Sequence, residues 1–319
     1  MELMVSAIRI NGDDNLDIEL MDPQGAELPP FTPGAHIDIR TPGGQLRQYS
    51  LCGSADDRLA YRICVRRDEA SRGGSHSLHA DMRVRAKVDI GGPRNLFSMP
   101  EARRYILFSA GIGITPIIAM ARALATAGAD FELHHFERSR GRIAFLDELT
   151  SGVLTSVTTL HLGEEGASFR ETIPPCLIKA DANAAVIACG PNGFLDLLGL
   201  RLADAGWSPE QFHSERFRPE APKFAAAANE TDAFEIRLAS SGQSFTVGAQ
   251  DTIANVLLAN GIPIDLSCEQ GMCGACLTRV LEGEPDHRDI VLSAAEQAAG
   301  DQMTICCSRS RSPLLVLDI

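Results

Sequence analysis

The sequence of 319 residues predicts a multidomain chain in three parts: an antiparallel β-barrel, an α/β domain on a parallel sheet, and a small C-terminal module with a cysteine loop. Three observations lead there. Up to about residue 100, short β-rich runs are punctuated by Pro/Gly clusters. From Arg104 strands alternate with helices, the pattern of a parallel sheet. After a stretch poor in bulky residues, Cys268, Cys273 and Cys276 stand at C-x4-C-x2-C, with 29 residues between Cys276 and Cys306. A chain of this length exceeds what one hydrophobic core usually spans.

In the first part Ala35–Arg40, Gln48–Leu51 and Leu59–Val65 carry the alternation and β-branched or aromatic content of strands. Pro29-Pro30, Thr32-Pro33-Gly34, Thr41-Pro42-Gly43-Gly44 and Gly91-Gly92-Pro93 separate them, and the spacing suits a small barrel. The second part opens with a buried strand, Tyr105–Ser109, followed by the turn Ala110–Pro116 and a helix from Ile117 to Ala127. Thr115 suits its N-cap, Pro116 its first position and Gly128 the residue past its end. Further strands are expected at Phe131–Phe136, Ser156–His161 and Ala185–Ala188. Arg218 to Asp232, with Pro219, Pro222 and Ala225–Ala228, reads as a linker. Beyond it come a hairpin (Phe234–Leu238, Ser244–Val247), a helix Thr252–Asn260 capped by Asp251 and ended by Gly261, the cysteine loop, and a terminal strand at Leu314–Leu317. The domains are therefore placed at 1–102, 103–220 and 233–319, with 221–232 as the linker.

The net charge is −13 and lysine occurs only at Lys87, Lys179 and Lys223, which excludes nucleic acid as a partner because phosphate binding needs a basic stripe. Residues 232–319 hold twelve Asp/Glu against five Arg, so this module is the one electrostatics would steer onto a basic partner. The N-terminal segment has neither a basic start nor a long apolar run, and no stretch approaches the length of a membrane span. Nine cysteines without a disulfide-like framework suit a reducing cytoplasm. Cys52, Cys64, Cys176, Cys189 and Cys307 read as buried thiols.

The cysteine spacing is that of a plant-type 2Fe-2S loop, with Cys268, Cys273, Cys276 and Cys306 as ligands. Zinc is the rival, but four-cysteine zinc sites usually come as two short C-x2-C knuckles. A cluster means electron transfer. Gly111-Ile-Gly113-Ile-Thr115-Pro116, at a strand-to-helix turn, suits a dinucleotide pyrophosphate, which glycine backbone and a helix N-terminus stabilise. Cys189-Gly190-Pro191 ends a second buried strand at the same carboxyl edge. Arg47, Tyr49 and Ser50 offer a cation, a ring and a hydroxyl suited to a flavin, and Arg72-Gly73-Gly74-Ser75 leads into a helix that suits its phosphate. His134-His135 and Glu164-Glu165 read as ordinary strand and loop residues.

Taken with Gly91-Gly-Pro-Arg-Asn-Leu-Phe97 and Asp286-His-Arg-Asp289, these motifs fall in order along the whole chain, which resembles the phthalate dioxygenase reductase family. The resemblance implies an FMN-binding β-barrel, an NAD-binding α/β domain and a C-terminal β-grasp plant-type ferredoxin domain. It implies that Arg47, Tyr49 and Ser50 contact FMN and that Gly74 and Ser75 hold its phosphate. In the run His213-Ser-Glu-Arg-Phe217 it implies that Phe217 packs against the flavin. Gly111, Gly113, Thr115 and Pro116 would cradle NADH, with Cys189 and Gly190 near the nicotinamide. The implied activity runs from NADH through FMN and the cluster to a Rieske-type oxygenase, the chain working as a monomer. No general acid–base pair is expected, because the cofactors carry the chemistry.

Two alternatives keep parts of this reading: the same architecture with FAD, and a non-enzymatic 2Fe-2S carrier. Arg138, Arg140 and Arg142 are the cations that a 2′-phosphate of NADPH would require. Cys307 adjoins Cys306; in a strand-like segment the two would point opposite ways, which favours Cys306 as the ligand.

Overall fold

The computed structural model describes residues 1–69, 73–217, 233–269, 271–289 and 291–319. Arg72 and the expected linker, 221–232, lie outside the described residues. The chain forms two compact units: residues 1–44 with 48–218, and residues 45–47 with 219–319.

The N-terminal part of the chain forms β1 (Glu2–Ile10), β2 (Asn15–Met21), β3 (His36–Arg40), β4 (Leu46–Ser50), β5 (Ala60–Arg66), helix α1 (Gly74–Asp81) and β6 (Lys87–Asp89), all in the first unit but for the first two residues of β4. An antiparallel sheet runs in the order β5-β2-β1-β6, and β3 pairs with β4. Bridges Ile39↔Ile90 and Leu51↔Ile63 link β3 to the end of β6 and β4 to β5, closing the barrel. Its interior is filled by alternate residues of each strand: Leu3 and Val5, Ile18 and Leu20, Ile37 and Ile39, Ile63 and Val65. The hairpin β1–β2 is not among the expected strands. Its turn carries the Asn11-Gly12 pair, with Gly12 at φ 81°, a recognised hairpin dipeptide.

The same unit continues with β7 (Arg104–Ala110), α2 (Ile114–Thr126), β8 (Asp130–Glu137), α3 (Leu146–Thr150), β9 (Thr158–Leu162), β10 (Ala184–Cys189), α4 (Asn192–Asp204) and β11 (Phe212–Glu215). The five strands lie in the order β11-β10-β7-β8-β9, every neighbour parallel. Both faces are covered, as a parallel sheet requires. Leu107, Leu133 and Ile187 cluster with Ile117, Met120 and Leu124 of α2. Ile106, Phe108 and Val186, on the opposite face, cluster with Leu195, Leu198 and Leu202 of α4. The chain leaves β7 for β8 and β9 on one side, then fills β10 and β11 on the other. The strand order therefore reverses between β7 and β10.

Helix α2 begins earlier than expected. Residues Gly111–Gly113 already form a helical turn, so Gly113 is the N-cap and Thr115 lies inside the helix. Its hydroxyl donates to the Ile112 carbonyl at 3.0 Å instead of capping.

The second unit contains β12 (Phe234–Leu238), β13 (Ser244–Val247), α5 (Ile253–Ala259), β14 (Leu277–Glu282), β15 (Pro285–Asp286), α6 (Ala294–Ala299), β16 (Gln302–Thr304), β17 (Arg309–Ser310) and β18 (Leu314–Leu317). Its mixed sheet runs β13-β12-β18-β14-β16, with β12 and β18 parallel. Ile253 and Leu257 of α5 share a core with Ile236, Leu238, Val280, Leu315 and Leu317. The cap of α5 is Thr252, whose side chain accepts from the Asn255 amide at 3.1 Å, one residue after the expected Asp251. Among the described residues no helix is long and apolar enough to cross a membrane.

Candidate nucleotide, flavin and cluster sites

In an open parallel sheet, ligands bind outside the carboxyl ends of the strands where the strand order reverses. That crevice lies here between the ends of β7 and β10, and the segments leaving them are Gly111–Gly113 and Gly190-Pro191. The two glycines of the turn serve different purposes. Gly111 takes a left-handed backbone, φ 56°, with the Arg66 guanidinium 2.8 Å from where a Cβ would sit. Gly113 has an ordinary φ of −60°, but a Cβ there would lie 2.2 Å from the Cys189 carbonyl oxygen and 2.7 Å from the Gly190 amide. Gly113 is therefore a close-packing glycine that lets the turn rest against the end of β10. Thr115 and Pro116 are buried in the first turn of α2.

Parallel pairing sets Cys189, the last residue of β10, opposite Glu215, the last of β11. Cys189 is fully buried, and burial followed by the nearby Glu215 pushes its thiol well above the usual range. Burial alone raises the Glu215 carboxyl to about 7. Its Oε2 finds no hydrogen-bond partner among the described residues. Sequence reasoning misses Glu215, although it stands inside the His213–Phe217 run that carries the expected flavin aromatic. It misses Arg66 as well: from the end of β5 this residue reaches Gly111 and lies 3.6 Å from Glu137 at the end of β8. Arg142 is engaged by acids, at 2.7 Å from Asp14 and 3.8 Å from Glu137.

Tyr49 and Ser50 end β4, with Tyr49 half-buried against the barrel core and Ser50 buried. The bridge Leu51↔Ile63 attaches this end to β5, and α1 is held to β5 by the His79 ring on the Val65 carbonyl at 2.9 Å. Helix α1 opens at Gly73, φ 99°, which has no side chain to cap the first-turn amides. Gly74 is buried there, and the Ser75 hydroxyl accepts from the Asp68 amide at 3.2 Å. Arg47 donates to the Leu46 carbonyl at 2.8 Å. Phe217, just past β11, is 43% exposed, an open ring of the kind that stacks on a planar ligand.

In the second unit Cys268, Cys273 and Cys276 lie in the loop between α5 and β14, and Cys306 follows β16. Cys273, Cys276 and Cys306 are buried, and Cys268 is half-buried. Cys268 neighbours Cys273, and Cys306 neighbours both Cys276 and Cys307. Left-handed backbone at Glu269, Gly271 and Gly274 turns the loop, and the Ala275 amide points at Cys273 Sγ, 3.4 Å away. The expectation about Cys307 needs correcting. β16 stops at Thr304 and Ile305–Cys307 form a turn, so strand alternation does not separate the two thiols. Cys307 Sγ instead adjoins Cys306 and lies 3.2 Å from Thr304 Oγ1, packed against Gly271.

Residues 236–311 match the 2Fe-2S iron-sulfur cluster binding domain family. The chain is 42% identical to a vanillate O-demethylase oxidoreductase of Pseudomonas sp., with 100% of both chains covered. It is 38% identical to the phthalate 4,5-dioxygenase oxygenase reductase subunit of Pseudomonas putida, over 94% of this chain and 91% of that one. Among solved structures it is similar to phthalate dioxygenase reductase, a modular structure for electron transfer from pyridine nucleotides to 2Fe-2S (TM-score 0.72, 36% identity, covering 100% of this chain and 98% of that one). The chain belongs to the phthalate dioxygenase reductase family.

Like that reductase, it combines a flavin-binding barrel, a parallel-sheet nucleotide domain and a C-terminal ferredoxin domain, and it is an oxidoreductase. The residues present fit the groups that a phthalate dioxygenase reductase fold implies. Four neighbouring thiols, three of them buried, suit a cluster of two irons held by four protein thiolates. An orphaned carboxyl oxygen on β11, beside the end of β10, suits a polar ligand group such as a carboxamide.

Proposed function

We propose that this chain is the NADH-dependent reductase component of a Rieske-type oxygenase that demethylates or hydroxylates a small aromatic or amine. The observation that carries the reading is the occurrence, in one chain, of a switch-point glycine turn and a set of four neighbouring thiols. When bound, FMN and the cluster supply the redox chemistry, taking electrons from NADH as a pair and releasing them singly.

The protein's part is binding, orientation and electrostatics. The Gly111–Gly113 turn and the start of α2 present amides to the pyrophosphate of NADH, with Thr115 and Pro116 fixing the first turn. Cys189 and Gly190 line the nicotinamide end, where Glu215 Oε2 is available to the carboxamide. Tyr49, Ser50 and Phe217 shape the flavin site, Gly74 and Ser75 its phosphate end, and Arg47 adds a cation. Engagement of Arg142 by Asp14 and Glu137 withdraws one cation that a 2′-phosphate would use, which favours NADH. Cys268, Cys273, Cys276 and Cys306 hold the cluster. In this reading the modules divide at 102/103 and across 221–232, and the acidic last module docks on a basic partner surface. The chain acts as a cytoplasmic monomer.

The test is Cys273→Ser. NADH should still bleach the flavin while reduction of cytochrome c, a one-electron acceptor, is lost. A purified protein whose flavin ignores NADH would instead be the non-enzymatic carrier. Chromatography of the released flavin separates FMN from FAD.

A further inference from the structure

Outside the redox sites, the described residues hold one compact set of soft and hard donors: Glu132, His134 and Cys176, whose ligand atoms all lie within 4.8 Å of one another. Glu132 and His134 are two apart on β8 and so share a face of the sheet. Cys176 comes from a one-turn helix, Pro175–Leu177, in the long connection 163–183 between β9 and β10. His134 is buried, whereas Glu132 and Cys176 are half-buried, so the cluster opens to solvent on one side.

We propose that Glu132 Oε2, His134 Nε2 and Cys176 Sγ form a zinc site that staples the 163–183 connection to β8. Zinc at its usual distances, about 2.0–2.1 Å to nitrogen or oxygen and 2.3 Å to sulfur, sets tetrahedral edges of about 3.4 Å for N···O and 3.6 Å for N···S. Here His134 Nε2 lies 3.1 Å from Glu132 Oε2 and 3.4 Å from Cys176 Sγ. Both edges at His134 fall within a few tenths of an ångström of these values, and the Glu132–Cys176 edge lies within 4.8 Å. The fourth position faces the half-exposed rim and takes water.

The groups behind these donors are those that orient metal ligands. His134 Nδ1 meets His161 Nε2 at 3.0 Å, a contact that holds the ring with its Nε2 edge toward Glu132 and Cys176. With its proton on Nδ1, toward His161, the ring offers the Nε2 lone pair to the metal. The other oxygen of Glu132, Oε1, accepts from Arg104 at 2.7 Å. Binding displaces the Cys176 thiol proton to solvent and leaves a Zn–S bond. Cys268, Cys273, Cys276 and Cys306 belong to the other unit, so the two sites use separate ligands.

The experiment uses the full-length holoprotein, treated with a mild chelator, loaded with one equivalent of zinc sulfate and desalted. Wild type should retain one zinc beside unchanged iron and flavin, with a zinc-edge absorption spectrum showing a single sulfur among nitrogen and oxygen ligands. Cys176→Ser and the half-exposed Glu132→Gln should each lose that zinc and keep iron and flavin. Zinc should also slow proteolysis within 163–183 in wild type alone. Zinc bound equally by both variants, no zinc retained by wild type, or a zinc edge with four sulfurs would each overturn the site, the last by placing zinc in the cysteine loop.

Discussion

Replacing Glu215 by glutamine should stabilise the first unit by an amount that grows with pH. Burial raises the carboxyl from 4.5 to about 7, so between these values the folded protein holds a proton that the unfolded chain has lost. The folded state binds more protons, and stability falls as pH rises through that window. At about 1.4 kcal/mol per unit, the penalty approaches about 3.4 kcal/mol above pH 7, and about 1.4 kcal/mol of it is already present at pH 5.5. The substituted amide titrates nothing, so any constant effect of the replacement cancels when two pH values are compared. The stability of Glu215→Gln minus that of wild type should therefore rise by about 2 kcal/mol between pH 5.5 and 8.5. Trp207, the single tryptophan, is buried in the α/β domain and reports its unfolding in urea by fluorescence. An equal difference at both pH values, or one that shrinks with pH, would refute a carboxyl held neutral by burial.

The two glycines of the nucleotide turn should respond unequally to alanine. Gly113→Ala drives a Cβ into backbone at 2.2 Å and should cost at least about 1–3 kcal/mol and weaken NADH binding. Gly111→Ala meets the movable end of Arg66 and adds left-handed strain of only about 1 kcal/mol, so its melting temperature should fall less. Cys306→Ser should remove the iron while leaving NADH-driven flavin bleaching intact, and Cys307→Ser should leave both. Iron retained in the first variant and lost in the second would reverse the ligand assignment.

Much of the fold is legible in the sequence because it is written in local chemistry. The hairpin β12–β13 and the strand β18 carry apolar residues in short runs closed by turn residues, and they form where expected. Alternating strands and helices from Arg104 announce the parallel sheet. What cannot be read locally depends on register and on turns. Glu215 gains its raised carboxyl from desolvation at the end of β11, which the local sequence does not show. Arg66 meets Gly111 only after the barrel and the α/β domain fold together as one unit. Strand alternation would point Cys307 away from Cys306, and it fails because β16 ends at Thr304. Cys176 reads as a buried thiol, yet the 163–183 connection sets it half-exposed beside His134. The N-cap of α2 shifts because the glycine turn is itself helical.

The central claim is that one chain takes electrons from NADH in pairs and holds them for release one at a time. It is tested most directly by anaerobic titration of the purified protein, with visible absorbance and iron measured together. The account predicts a flavin band and a broad iron–sulfur envelope that both bleach, with about three electrons accepted per chain by a two-electron flavin and a one-electron cluster. Uptake of only two electrons with no iron–sulfur bleaching, or a flavin that responds to NADPH and ignores NADH, would contradict it.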